Sequence, residues 1–244
     1  MLIFSSLILP VQAVELTQEF KAQDGFTMYL PDDWVEIPNE VLKQHSDKVS
    51  ELVPQIGKQV YDYGFQSPPA DNWMTHPYIL VQVKRTGRIP EEELKKYKQI
   101  DEAFSEQMEE VGDNISSILS NTQLGETLYD AENLILWMNI SFNLQQRGRV
   151  NAQIAVKLTG FGVIQVTGYA TEDTFSTYQP LFQKIARQIY LDNIIKYKPG
   201  AAWNISTDGV INTVNTLKVI IWGTIICGII GLIVWLVKMK SRTS

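Results

Sequence analysis

The chain has 244 residues, a formal net charge of −6 and one cysteine, Cys227. The mild acidity excludes the basic footprint of a nucleic-acid-binding protein. Cys227 falls in the C-terminal apolar run, so no disulfide framework, thiol catalysis or thiolate metal site is available to the part before it.

Residues 1–13 form a short apolar stretch ending Val11-Gln12-Ala13, close to the small-x-small pattern of a signal-peptidase site. It is too short to span a bilayer and reads as a signal peptide, although no Lys or Arg precedes its apolar core. Residues 14–195 then carry the signals of one folded domain. Phe20 to Pro31 predicts a β-hairpin turning at Asp24-Gly25, with Trp34 as a core anchor just after it. Asn39 caps a predicted helix running to Pro54, with Val41, Leu42, Val49, Leu52 and Val53 on its apolar side. His45 falls on that side and reads as a structural histidine.

Gln59 to Phe65 alternates, which predicts a strand with Tyr61, Tyr63 and Phe65 on one face. Ser67 to Pro77 is a proline-stiffened loop, and Tyr78 to Lys84 the next strand, with Ile79, Val81 and Val83 together. Pro90 opens the longest predicted helix. Leu94, Tyr97, Phe104, Met108, Val111, Ile115 and Ile118 recur at helical spacing, and Glu102, Glu106 and Glu110 lie on a solvated face.

Four strand segments follow, at Leu124–Tyr129, Leu134–Leu144, Ala152–Leu158 and Ile164–Ala170. Short turns join them, at Asp130–Asn133, Arg147–Arg149 and Gly160–Gly162, and imply an antiparallel meander. A helix capped by Thr171 or Asp173 comes last, with Phe175, Tyr178, Phe182, Ile185 and Ile189 on one side. The expected class is α+β, a single antiparallel sheet with flanking helices.

The segment Phe26-Thr-Met-Tyr-Leu-Pro31-Asp-Asp-Trp34 and the closing strand and helix, Phe161–Ala170 and Asp173–Tyr190, resemble the PsbP-like fold, an α/β/α sandwich. The likeness spans about Thr17 to Asp192 and is one of element order. It implies accessory, assembly or binding roles without catalysis, and it carries over no functional residue. The C-terminal segment departs from the soluble members of that family.

Residues 196–216 read as a juxtamembrane linker, and 217–237 as a transmembrane helix. Val219 to Val237 is 19 residues without a charge, bounded by Trp222 and Trp235. The basic tail 238–244 carries Lys238, Lys240 and Arg242, which places it in the cytoplasm by the positive-inside rule and the domain outside. The expected location is a cell's inner (plasma) membrane, single-pass, with the domain periplasmic or extracellular. Gly223, Cys227 and Gly231 present a small-xxx-small face for contact with other membrane proteins or for self-association through the transmembrane helix.

No nucleophile elbow, phosphate-binding glycine loop or three-ligand metal pattern occurs, so neither an enzyme nor a cofactor is expected. His76 with Asp71 supplies two metal ligands where about three are needed. The candidate partner-binding residues are Asp71, Trp73, Met74 and His76, in a loop expected to expose an indole and a thioether. The functional expectation is a membrane-anchored, non-enzymatic accessory or interaction protein. The alternative is a small-ligand or metal-binding module with this loop at its mouth.

Overall fold

Gly25 holds φ at 83°, a conformation that a Cβ disfavours, and this lets the chain reverse at Gln23–Gly25. The strands so joined are β1 (Gln18–Ala22) and β2 (Phe26–Leu30), paired from Ala22–Phe26 to Gln18–Leu30. The computed structural model describes residues 14–52, 60–68, 72–91, 119–144 and 148–198. In chain order the remaining described elements are β3 (Val35–Glu36), α1 (Asn39–Leu52), β4 (Tyr63–Gln66), β5 (Tyr78–Lys84) and β6 (Leu119–Leu124). They continue with β7 (Leu128–Asp130), β8 (Ile135–Leu144), β9 (Gly148–Thr159), β10 (Gly162–Thr171), α2 (Glu172–Arg187) and β11 (Tyr190–Leu191).

The fold is α+β with antiparallel sheets. The expectation of one sheet is corrected, because the described strands form two. The larger runs β3-β4-β5-β10-β9-β8-β6, with β7 also on β8, and the smaller is β1-β2-β11. The hairpin leaves the main sheet because β2 is apolar on one face only. Phe26, Met28 and Leu30 are buried while Thr27 and Tyr29 are half-exposed, so the ribbon lies across the large sheet rather than extending it. Residues Tyr190 and Leu191 then pair with Thr27 and Phe26 and complete the small sheet.

Paired residues of antiparallel strands share a face, so the registers divide the large sheet. On the first face lie Phe65, Ile79, Val81, Trp137, Ala155 and Val166, packed against β2 and against Leu181, Phe182, Ile185 and Ala186 of α2. At Gly168, a Cβ would sit 2.3 Å from the Phe182 ring, so α2 approaches β10 where a side chain is missing. On the second face Leu80, Leu136, Met138, Ile140, Phe142, Ile154 and Val156 are buried as well. α1 packs here, and Leu42 and Ile37 close over Gly64. Both faces of the sheet are therefore covered, which explains why β9 and β10 are buried along most of their length, polar Gln153, Lys157, Gln165 and Thr167 included.

Other local expectations change. Leu124–Tyr129 is two strands, since Gly125 bonds to Asn139 O at 2.7 Å and the chain re-pairs only at Leu128. Leu134 has φ 54° and belongs to the turn, not to β8. Tyr61 is not on the face of Tyr63 and Phe65. It precedes β4 and its ring lies 5.2 Å from that of His45 on α1. His45 is buried, as a structural histidine should be. The longest predicted helix, after Pro90, lies outside the described residues apart from its start. So do the signal peptide, most of the linker and the transmembrane segment. Among the described residues no helix is long and apolar enough to cross a membrane.

Candidate functional site

The loop between β4 and β5 is organised by one glutamine. Gln66 ends β4 on the second face of the sheet and is fully buried. Its Nε2 donates to Asn72 O at 3.0 Å and its Oε1 accepts from Met74 N at 2.8 Å. The side chain thus takes the place of a neighbouring strand and satisfies backbone groups that would otherwise be stranded in the interior. Thr75 Oγ1 also donates to Asn72 O, at 2.9 Å, and Ser67 N to Pro77 O, at 3.2 Å, closing the base. The peptide between His76 and Pro77 is cis.

This clamp decides which side chains the loop shows. Met74 sits at φ 63° and is only 3% exposed, so the expectation of an exposed thioether is corrected: its backbone is drawn to Gln66 and its side chain is buried. Trp73, one residue earlier, is half-buried. His76 is also half-buried, its ring 5.2 Å from Tyr78, which stacks at 4.8 Å on Tyr169 of β10. Burial pushes the Tyr78 phenol well above its usual range, which keeps it neutral. Asp71 lies outside the described residues, so only Trp73, Met74 and His76 of the expected quartet are placed together. Gly223, Cys227 and Gly231 also lie outside them.

Two charged clusters were not read from the sequence. In the first, Asp24 at the hairpin tip accepts from Tyr63 Oη at 2.7 Å and pairs with Arg85 beyond β5. The Arg85 guanidinium also lies 5.3 Å from the Phe161 ring centroid. Nearby, Asp62 accepts from Val83 N at 2.7 Å. Burial holds its carboxyl above the ordinary value, with the Asp24 charge adding to this and the Val83 bond and Arg85 opposing it.

The second cluster joins the β7–β8 turn to the end of α2. Asp130 accepts from Asn133 N and Nδ2, each at 3.1 Å, and from Arg187 Nε at 3.4 Å. Burial alone would raise its pKa, but the Asn133 bonds and Arg187 outweigh it and hold the carboxyl below its ordinary value. Buried Lys157 donates to Asn133 O at 3.2 Å, and desolvation lowers its pKa. Every member of this cluster has an internal bond, which is the pattern of a knitted turn rather than of groups poised for a substrate. Among the described residues no group of three or more His, Cys, Asp or Glu side chains is arranged to hold a metal ion.

No family model matches the chain, and no curated protein matches it. Among solved structures it is similar to the solution structure of cyanobacterial PsbP (CyanoP) from Synechocystis. The identity is 14%, over 75% of this chain and 95% of that one, with a TM-score of 0.45. A protein of unknown function from Pseudomonas aeruginosa aligns over 70% of this chain and 93% of its own length, at 8% identity and a TM-score of 0.28. At these scores the fold is defined by the chain's own strand order.

The loop offers half-buried Trp73 on a frame held at both ends by hydrogen bonds.

Proposed function

We propose that the chain is a membrane-anchored, non-enzymatic accessory protein. It presents a PsbP-like α+β domain on the outer side of a cell's inner membrane and engages a neighbouring membrane protein through the Trp73 loop. The observation that carries the anchor is the uncharged run Val219–Val237, framed by Trp222 and Trp235 and followed by Lys238, Lys240 and Arg242. The apolar stretch ending at Ala13 supports the same orientation from the other end.

Partner binding is preferred to the ligand-module reading because Met74 is buried while Trp73 remains partly at the surface. The PsbP-like description is supported by the large antiparallel sheet, the ribbon β1-β2 crossing it and α2 beside that ribbon on the same face.

Two measurements on native membranes test this. Full-length chain should stay with the membrane through an alkaline carbonate wash, and protease added to intact spheroplasts should remove the domain. Release by carbonate, or full protection of the domain, overturns the topology. For the loop, proteins that co-purify with the parent chain should be lost with Trp73→Ala, and an unchanged set removes the loop from the interface.

A further inference from the structure

One end of the domain gathers four chain segments. The C-terminal segment is tied to the hairpin tip by Asp192 N donating to Gly25 O at 2.9 Å, and to the β9–β10 turn by Gly160 N donating to Ile195 O at 2.7 Å. The stretch after β5 joins them, with Gly87 N donating to Phe161 O at 2.9 Å. Arg88 holds Tyr197 and Lys198 against this end. Its guanidinium lies 4.8 Å from the Tyr197 ring centroid and donates to Lys198 O at 3.0 Å.

The side chains at this end divide cleanly. Ile195 and Tyr197 are buried, whereas Ile194 is 95% exposed and Lys196 and Lys198 are exposed. An isoleucine so fully in water is uneconomical for the folded domain alone, although single exposed apolar residues do occur. The charges around it are unusual for a chain of net charge −6. Arg85, Arg88, Lys196 and Lys198 stand there against Asp24, which is paired with Arg85, Asp62, which accepts from Val83 N, and Asp192. Other acids nearby are engaged to the side: Glu91 with the Tyr129 hydroxyl and Asp130 with Arg187.

From Lys198 the sequence runs on through 18 residues, Pro199–Thr216, to the proposed anchor. Even fully extended, 18 residues reach no further than about 60–65 Å. The tether therefore keeps the domain close to the bilayer at high effective concentration, and the exit end is the one it brings nearest.

We infer that this end is a lipid-docking surface, in which Ile194 enters the interface of the domain's own membrane while Lys196 and Lys198 meet anionic headgroups. The inference rests on the membrane-anchored reading above. Apolar insertion and headgroup attraction add, and the second falls off within a Debye length, about 8–10 Å. Docking also sets the direction in which the rest of the domain points: β10 rises from Gly162 at this end to Thr171, so the start of α2 faces away from the lipid.

The test uses full-length chain with Cys227→Ala, reconstituted into nanodiscs of phosphatidylcholine with or without phosphatidylglycerol. An environment-sensitive NBD label is attached at Ile194→Cys or, at the far end, at Asp173→Cys, and spin-labelled lipid is the quencher. The label at 194 should be blue-shifted and quenched in anionic discs, and the label at 173 should not. Lys196→Gln with Lys198→Gln, both at exposed positions that leave the fold intact, should lower the docked fraction relative to undocked about tenfold. Chain that resists carbonate but is quenched no more at 194 than at 173 overturns the docking and leaves the anchor standing. Chain that carbonate extracts overturns both.

Discussion

Gln66 holds Met74 by its backbone: the buried side-chain oxygen accepts the Met74 N–H at 2.8 Å, while the amide nitrogen reaches Asn72 O at 3.0 Å. Position 66 therefore needs a donor and an acceptor on one planar group, and only an amide of that length supplies both. Gln66→Glu keeps an acceptor but loses the donor, and it places a carboxylate where no water reaches. The loss should be about 2–4 kcal/mol in urea unfolding. Trp73 emission should shift to the red before the main transition as the loop lifts. Unchanged emission would show that the loop is held by something other than Gln66.

The hairpin tip is fastened in the same spirit, through Asp24. Tyr63 Oη and the Arg85 guanidinium share that carboxylate, and the Tyr63 ring also packs edge-on against Phe20 at 5.1 Å. Tyr63→Phe keeps the ring contacts and removes one charge-assisted bond, for an expected cost of about 1–2 kcal/mol. Arg85 is largely exposed, so Arg85→Ala alone should cost less than about 1 kcal/mol. The two changes meet at one carboxylate, and the double variant should deviate from additivity. Additive costs in thermal unfolding would mean that the two residues act independently.

Asp62 carries a pH signature of opposite sign to the usual aspartate. Its carboxyl is held above the ordinary 3.8, first by burial and then by the Asp24 charge. Between the ordinary value and the raised one, the folded chain binds more protons than the unfolded chain. Its contribution to stability is therefore greatest below the ordinary value and falls as pH rises through the folded value. Asp62→Asn still accepts the Val83 N–H bond through its amide oxygen. The variant should be the more stable of the two at neutral pH, and its advantage should vanish towards acid pH. A gap that does not change with pH would show that Asp62 titrates as it does in the unfolded chain.

How far the sequence spoke depended on whether a signal was local. Asp24-Gly25 marks the first hairpin, and Gly160-Phe161-Gly162 marks the β9–β10 turn, because such turns need backbone conformations that few residues adopt. The faces of β9 and β10 followed from alternation. The two-residue strand β11 is too short for any periodicity to show, so the sheet it completes with β1 and β2 stayed hidden. Tyr61 continued an alternating pattern that the backbone abandons just before β4. In the loop, proline and the clustered aromatics signalled a surface feature. Met74 looked equally available until Gln66, an unremarkable polar residue in the sequence, proved to hold its backbone from inside. Clamps of that kind join residues by geometry alone, and composition carries no trace of them.

The approach of α2 to the sheet gives the sharpest stability prediction. Gly168 lies on the first face of β10, paired with Ile79 and Gln153, and a Cβ there would fall 2.3 Å from Phe182 Cγ. Phe182 is itself buried among Ile185, Leu181 and the sheet, so its ring has little room to withdraw. Alanine is otherwise better suited to a strand than glycine, by roughly 0.5–1 kcal/mol. The clash should outweigh this and leave Gly168→Ala destabilised by about 2–3 kcal/mol in thermal or urea unfolding. Phe182→Leu alone leaves a gap and should cost about 1–2 kcal/mol. Combined, the smaller side chain yields the space that the new methyl occupies, so the double variant should be more stable than the sum of the two costs predicts. Strict additivity would mean that α2 moves as a body to accommodate the methyl, and that the Gly168–Phe182 contact does not set the helix-to-sheet distance.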